Sequence, residues 1–296
     1  MYKIVIDSCG ELPEDLKKDG HYQNVSLELE VDGCYIRDDE TFDQKDFLRR
    51  VKESVTGPKS ACPSPDEYMK SYEGDADHVY VVTLSGKLSG SYNSAELGKN
   101  LFEEEHPGEK KIYVFNSRSA SVGETLIGMK VQECEEAGMS FEEVVAATEK
   151  YISSMNTFFV LETLETLRKN GRLTNLKAFI ANTLNIKPVM GSTEEGSICQ
   201  LGQARGMNKA LDKMIQDVIA KIDPMPGAKA FLDALRAETQ TVILSDTFEQ
   251  FGLPLMEKLN WPTLLCNTLE VGEDGMISGF RMRCSHSKLT TVRAFQ

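Results

Sequence analysis

The sequence predicts a layered α/β protein. Short β-branched runs such as "KIVID", "HVYVVT" and "KIYVFN" recur along the chain. Each is followed closely by a stretch with helical spacing. Cap and turn residues occupy many of the joints, as expected where strands and helices alternate. At 296 residues, 41% of them hydrophobic, the chain is long enough to bury sizeable cores.

Taken in order, "YKIVIDS" is a strand ending in a loop, and "QNVSLELEVDGCYI" is two strands folded about Asp32-Gly33, a hairpin dipeptide. The stretch "DQKDFLRRVKES" reads as a helix from Asp43 to Ser54. "TGPKSACPSP" reads as a loop, after which Pro65 begins another helix. Then come a strand over 78–83, a Ser/Gly loop and a helix to about Glu105. Strand "KIYVFNS", helix "ETLIGMKVQECEEAG" and a helix from the N-cap Ser140 to about Met155 complete a first lobe, expected over 1–155. A second lobe is expected from "NTFFVLETL" onward, over 156–222. Its pieces are helix "ETLRKNG" closed by Gly171, helix "RLTNLKAFIANTL", strand "NIKPVM", hairpin arm "EEGSICQLGQ" and amphipathic helix "MNKALDKMIQDVIAKI". No long linker separates the pieces, so a ligand crevice between two packed lobes is expected.

The net charge of −13, from 33 basic and 46 acidic residues, repels nucleic acid and anionic membrane in bulk. An anionic ligand must therefore be held by local donors. No apolar run approaches the roughly 18 residues of a membrane span, and "MYKIVIDSCG" lacks the regions of a signal peptide. A cytoplasmic location without stable membrane insertion is the expectation. Seven cysteines without a C-x-x-C pair, and four scattered histidines, suggest no disulfide scaffold, no metal site and a reducing compartment.

The stretch "LSGKLSGSYNSA", Leu84 to Ala95, crowds four serines and two glycines at a strand-to-helix joint. Unpaired N–H groups and the positive end of the helix dipole make such a joint an anion site. Lys87 lies mid-loop, so the pattern is not that of a nucleotide P-loop. The plainer reading is a serine N-cap with turn glycines.

Six blocks occur in one order: "DSCGELP", "KSACPSPDEY", "LSGKLSGSYNSA", "NSRSASVGETL", "LETLRKNGRLTNLKAFIANTLNIKPVM" and "GQARGMNKALDKM". Together they resemble the DegV family over about residues 1–220. The resemblance implies a two-lobed α/β carrier with no catalytic residues and no cofactor. It implies a long-chain fatty acid as ligand and a separate fatty-acid kinase as partner. Through "SACP" it implies that Ser60 binds the acyl carboxylate, and through "LSGSY" that Ser89 does so beside Gly90. Ser121, Arg172 of "GRLT" and Lys187 of "IKP" become candidate pocket or partner contacts. Two hydroxyls and a backbone N–H suit a carboxylate's two oxygens, and an acyl tail adds about 0.8 kcal/mol per buried CH₂. Each residue also has a plainer reading: Ser60 as a loop end, Ser89 as a helix cap, Arg172 and Lys187 as solvated charges.

From about Asp223 the DegV pattern is expected to stop. Residues 223–296 resemble part of a haloacid-dehalogenase-type phosphatase, near the phosphoserine phosphatase/homoserine phosphotransferase branch. There "VILSDT" is expected to end a strand at a phosphate-binding Ser245, and Lys288 matches the catalytic lysine. The aspartate nucleophile and the acidic Mg²⁺ ligands of that chemistry are missing, so this part reads as an incomplete fragment without turnover.

Overall fold

The computed structural model describes residues 1–172, 185–272, 277–283 and 287–295. In chain order the elements are β1 (Tyr2–Asp7), α1 (Glu14–Lys18), β2 (Tyr22–Val25), β3 (Glu28–Val31), β4 (Cys34–Arg37), α2 (Gln44–Glu53), β5 (Lys59–Ala61) and α3 (Pro65–Ser71). Next are β6 (His78–Thr83), α4 (Ser91–Glu105), β7 (Lys111–Asn116), α5 (Val122–Glu136), α6 (Phe141–Ser154), β8 (Phe158–Val160), α7 (Glu165–Lys169), β9 (Ile186–Ser192) and β10 (Ile198–Arg205). The last are α8 (Met207–Lys221), α9 (Ala228–Glu238), β11 (Val242–Phe248), α10 (Glu249–Glu257), β12 (Thr263–Val271), β13 (Ile277–Arg281) and α11 (Ser287–Phe295). The chain divides into two compact units. One comprises Met1–Phe159, Thr163–Phe179 and Met190–Leu201; the other comprises Val160–Glu162, Ile180–Val189 and Gly202–Gln296.

The first unit is built on a sheet of order β2-β1-β6-β7, parallel throughout. Parallel strands are covered on both faces and so read as near-continuous apolar runs. Ile4, Val5, Ile6, Val79, Tyr80, Val81 and Val82 are accordingly all buried. Strand alternation sends Ile4, Ile6, Tyr80 and Val82 into a core with Ile127 and Val131 of α5 and Val144 and Ile152 of α6. Val5, Val79 and Val81 enter the opposite core, with Tyr68 of α3 and Ala95 and Phe102 of α4.

Local chemistry fixes the joints. Asp32 and Gly33 both have positive φ, 49° and 81°, and close the antiparallel β3–β4 hairpin. Asp43 accepts from the N–H groups of Lys45 and Asp46, while Ser64 and Ser140 form capping boxes with Glu67 and Glu143. The stretch read as the loop "TGPKSACPSP" contains a strand: β5 pairs antiparallel with β3 and sets Ser60 opposite Leu29. At three residues, Lys-Ser-Ala, β5 carries no apolar alternation to announce it. β9 and β10 occupy the "NIKPVM" and "EEGSICQLGQ" segments, in a sheet of order β10-β9-β8. The helix expected from "RLTNLKAFIANTL" falls on 173–184, outside the described residues.

In the second unit β11 and β12 are parallel and β12 and β13 antiparallel. The ammonium of Lys258 donates to the carbonyls of Ile219 (2.8 Å), Ala220 (3.4 Å) and Ile222 (2.6 Å) at the C-terminal end of α8, where a cation is favoured. It also lies 3.6 Å from Asp223, so the chain runs through Asp223 without leaving the unit. Ser245 does not end a strand. β11 continues to Phe248 across a register shift, and the Ser245 hydroxyl accepts from the Thr247 N–H at 3.2 Å. Lys288, which matches a catalytic lysine in the phosphatase resemblance, is paired with Asp246 at 2.9 Å. No helix among the described residues is long and apolar enough to cross a membrane.

Helices α3 and α4 meet at Gly98, where a Cβ would stand 2.6 Å from the Pro65 carbonyl oxygen and 3.1 Å from the Tyr68 Cβ. Gly98→Ala is expected to lower the free energy of unfolding by about 1–3 kcal/mol, because overpacking outweighs the gain in helix propensity of about 1 kcal/mol. Urea titration checks this; unchanged or increased stability would contradict the close approach.

Candidate functional site

Beyond β6 the chain enters the Ser/Gly loop, whose start is fixed from β1. The Asp7 carboxylate accepts from the Leu84 N–H at 2.8 Å and from the Cys9 N–H at 3.1 Å. The N–H groups of Leu88 and Ser89 then turn back onto the Ser85 carbonyl at 2.8 and 3.0 Å. Ser85 and Ser91 are buried. The Ser85 hydroxyl donates to the Gly196 carbonyl at 2.9 Å, and Ser94 donates to that of Pro63 at 2.6 Å. Three of the four serines thus serve internally: Ser85 and Ser94 through these bonds, and Ser91 as a buried hydroxyl beside Asp7. Ser89 remains half-buried.

Arg172 brings the expected residues together. Its Nη2 donates to the Ser60 hydroxyl at 3.0 Å and its Nε to the Leu88 carbonyl at 3.2 Å. The planar guanidinium therefore bridges β5 and the residue preceding Ser89, which a point-like ammonium does not do in this geometry. The Ser89 oxygen accepts from the Ser91 N–H at 3.2 Å and lies 3.1 Å from the Ser91 hydroxyl. Ser60 accepts an N–H bond from Arg172, which leaves its O–H proton to give an anion, and Ser89 accepts one from Ser91. Gly90 opens α4 without a side-chain cap; a Cβ there would stand 3.0 Å from the Cys62 sulfur. Its lack of a side chain lets the "SACP" segment close over the loop.

Two expected residues are held elsewhere. Ser121 precedes α5 with φ 56° and ψ −126°, a strained conformation for a non-glycine residue; its side chain makes no hydrogen bond to Ser60, Ser89 or Arg172 among the described residues. Lys187 belongs to the second unit, where its ammonium donates to the Glu162 carbonyl (2.9 Å) and carboxylate (2.5 Å).

Sequence analysis missed the acidic group beneath the loop. Asp7 and Glu124 are fully buried, and one donor atom each from Asp7, Cys9 and Glu124 lie within 4.8 Å of one another. Burial, with the Asp7 charge second, holds the Glu124 carboxyl well above its ordinary pKa. Burial also raises Asp7, against the N–H of Leu84, and raises the Cys9 thiol. An acid ending an apolar strand was the available signal for Asp7. Glu124, in the first turn of α5, looks in sequence like an ordinary helix-dipole partner.

The chain resembles known proteins along most of its length. Residues 1–252 match the family described as "uncharacterised protein, DegV family", well past Asp223, where the pattern was expected to end. A DegV domain-containing protein of Streptococcus gordonii is 36% identical over 220 residues, 74% of this chain and 78% of its own. A DegV-family crystal structure from Ruminococcus gnavus, refined with vaccenic acid, is 48% identical and superposes with a TM-score of 0.73 over 90% of this chain and 92% of its own. The Streptococcus pneumoniae Fatty Acid Kinase (Fak) B3 protein, loaded with linoleic acid, is 30% identical, with a TM-score of 0.66 over the same shares. These matches cover much of the stretch expected to be a haloacid-dehalogenase fragment and replace that expectation; the α/β fold is the DegV fold. On the span of the family match and the identity to its relatives, the chain belongs to the DegV family.

Proposed function

We propose that the protein is a non-catalytic carrier of a long-chain fatty acid. The acyl carboxylate is held by the hydroxyls of Ser60 and Ser89 and the backbone at Gly90, and is presented to a separate fatty-acid kinase. The observation that carries this reading is the relative of 48% identity refined with vaccenic acid. The linoleic-acid-loaded Fak B3 protein supports both ligand and partner. The Arg172 bridge supports the assignment of residues, since it ties Ser60 to the residue before Ser89. The guanidinium adds a positive charge beside those hydroxyls, in a chain whose net charge of −13 would otherwise repel a carboxylate.

Protein purified from a bacterial host is expected to carry a long-chain fatty acid in near-stoichiometric amount, read by native mass spectrometry with identification of the extracted lipid. Apo protein that takes up neither oleate nor palmitate would falsify the carrier reading.

Ser89→Ala is expected to weaken oleate binding by about 1–3 kcal/mol, the cost of leaving a buried charged acceptor short of one donor. Arg172→Ala is expected to weaken it on the order of tenfold, by releasing Ser60 and the Leu88 carbonyl together. Arg172→Lys should not restore the loss, because a single ammonium does not reproduce the fork. Calorimetric titration of delipidated protein checks all three. Full recovery by lysine would show that charge, and not the bridge, is what matters.

A further inference from the structure

We propose that Glu124, in its acid form, donates a hydrogen bond to the Asp7 carboxylate, and that this proton-sharing pair positions the Leu84–Ser91 loop bearing Ser89. The inference rests on geometry. Asp7 and Glu124 are fully buried, and donor atoms of both lie within 4.8 Å of each other and of the Cys9 sulfur. Neither oxygen of Glu124 has an N–H or O–H partner among the described residues. An ionised carboxylate without any donor is not stable in such a place, whereas a carboxylic acid beside a carboxylate has one acceptor ready. Asp7 has the complementary need. It accepts two backbone N–H bonds, from Leu84 and Cys9, has the Ser91 hydroxyl beside it, and can take an O–H bond from Glu124 as well.

The groups around the pair favour a proton over a cation. Asp7 comes from β1, Cys9 from the turn after it and Tyr68 from α3; Asp38 also bears on Cys9. None is cationic. The Tyr68 hydroxyl is buried beside Ser91 without completing a hydrogen bond. Gly10 permits the approach, since a Cβ there would stand 3.2 Å from that of Glu124 and 2.4 Å from Ile6 Cγ2. One negative charge, held by two N–H groups and by the hydroxyls of Glu124 and Ser91, is the state this set of donors stabilises.

From this pair a chain of contacts runs to the proposed ligand serine. Asp7 fixes Leu84 at the start of the loop and lies beside the Ser91 hydroxyl, which is 3.1 Å from that of Ser89. Glu124 is therefore a positioning residue. Its consequence for binding rests on the fatty-acid reading; its protonation does not.

The sign of the pH dependence follows. The folded state keeps a proton on Glu124 that the unfolded chain releases near pH 4.3. Its contribution is full below that pH and is lost as pH rises toward the raised folded value. Asp7, also raised, adds in the same sense, and Glu124→Gln separates the two.

Infrared difference spectroscopy of the full chain at neutral pH, with melting curves from acid to neutral pH, tests the pair. The C=O stretch of a buried protonated carboxyl group is expected in the parent protein and absent from Glu124→Gln, whose melting temperature should fall less as pH rises. Glu124→Ala, without a donor, should weaken oleate binding on the order of tenfold, with Glu124→Gln restoring most of it. If Glu124→Ala does not fold, the band and the glutamine pH profile still decide. Absence of the band at neutral pH overturns the proposal. So does stoichiometric Zn²⁺, Mg²⁺ or Ca²⁺ in the purified protein that Glu124→Gln removes. A parent protein that shows the band but takes up no oleate leaves the pair intact and defeats only the carrier reading.

Discussion

The hydroxyl loop depends on one buried acceptor, the Asp7 carboxylate. A parallel sheet covered on both faces brings the C-terminal ends of β1 and β6 side by side, because the two strands pair in register from Tyr2–His78 to Ile6–Val82. β1 closes with an acid where β6 closes with a backbone that must turn away from the sheet. The Leu84 N–H has left the ladder and is out of reach of water, and Asp7 satisfies it. The loop that follows can then double back on Ser85 and start α4 at Ser91.

On that foundation the ligand groups are arranged by division of labour among similar residues. Ser85, Ser91 and Ser94 face inward and organise the loop, and Ser89 is left half-buried. Ser60 reaches the same neighbourhood from β5, a short strand paired antiparallel with β3. Arg172 joins Ser60 to Leu88, the residue before Ser89, with a single planar group. Hydroxyls beside a guanidinium suit the two oxygens of a carboxylate.

Much of the fold was legible in the sequence because its strongest signals are local. The apolar runs at β1, β6 and β7, the Asp32-Gly33 hairpin, the aspartate at the start of α2, Pro65 at the start of α3 and the N-cap Ser140 each declare themselves within a few residues. β5 was not legible, since Lys-Ser-Ala has no apolar period and is a strand only because β3 offers an edge. The Ser/Gly loop offered four serines, but not which of them the fold itself uses, because their partners Asp7, Gly196 and Pro63 are distant in sequence. Glu124 was hidden for the same reason: nothing local separates a buried acid from a solvated one in a helix's first turn. Towards the C-terminus the short run "VILSDT" suggested a phosphatase strand end, whereas β11 carries through Ser245 and Lys288 pairs with Asp246.

The proposed carrier role places a fatty-acid carboxylate on Ser60, which Arg172 holds, and on Ser89, beside the Leu88 that Arg172 also holds. A crystal structure of the protein with oleate tests it most directly. The carboxylate is expected at hydrogen-bond distance, about 2.5–3.2 Å, from both the Ser60 and Ser89 hydroxyls, with the Arg172 bridge in place. An oleate carboxylate bound away from both serines would contradict the account.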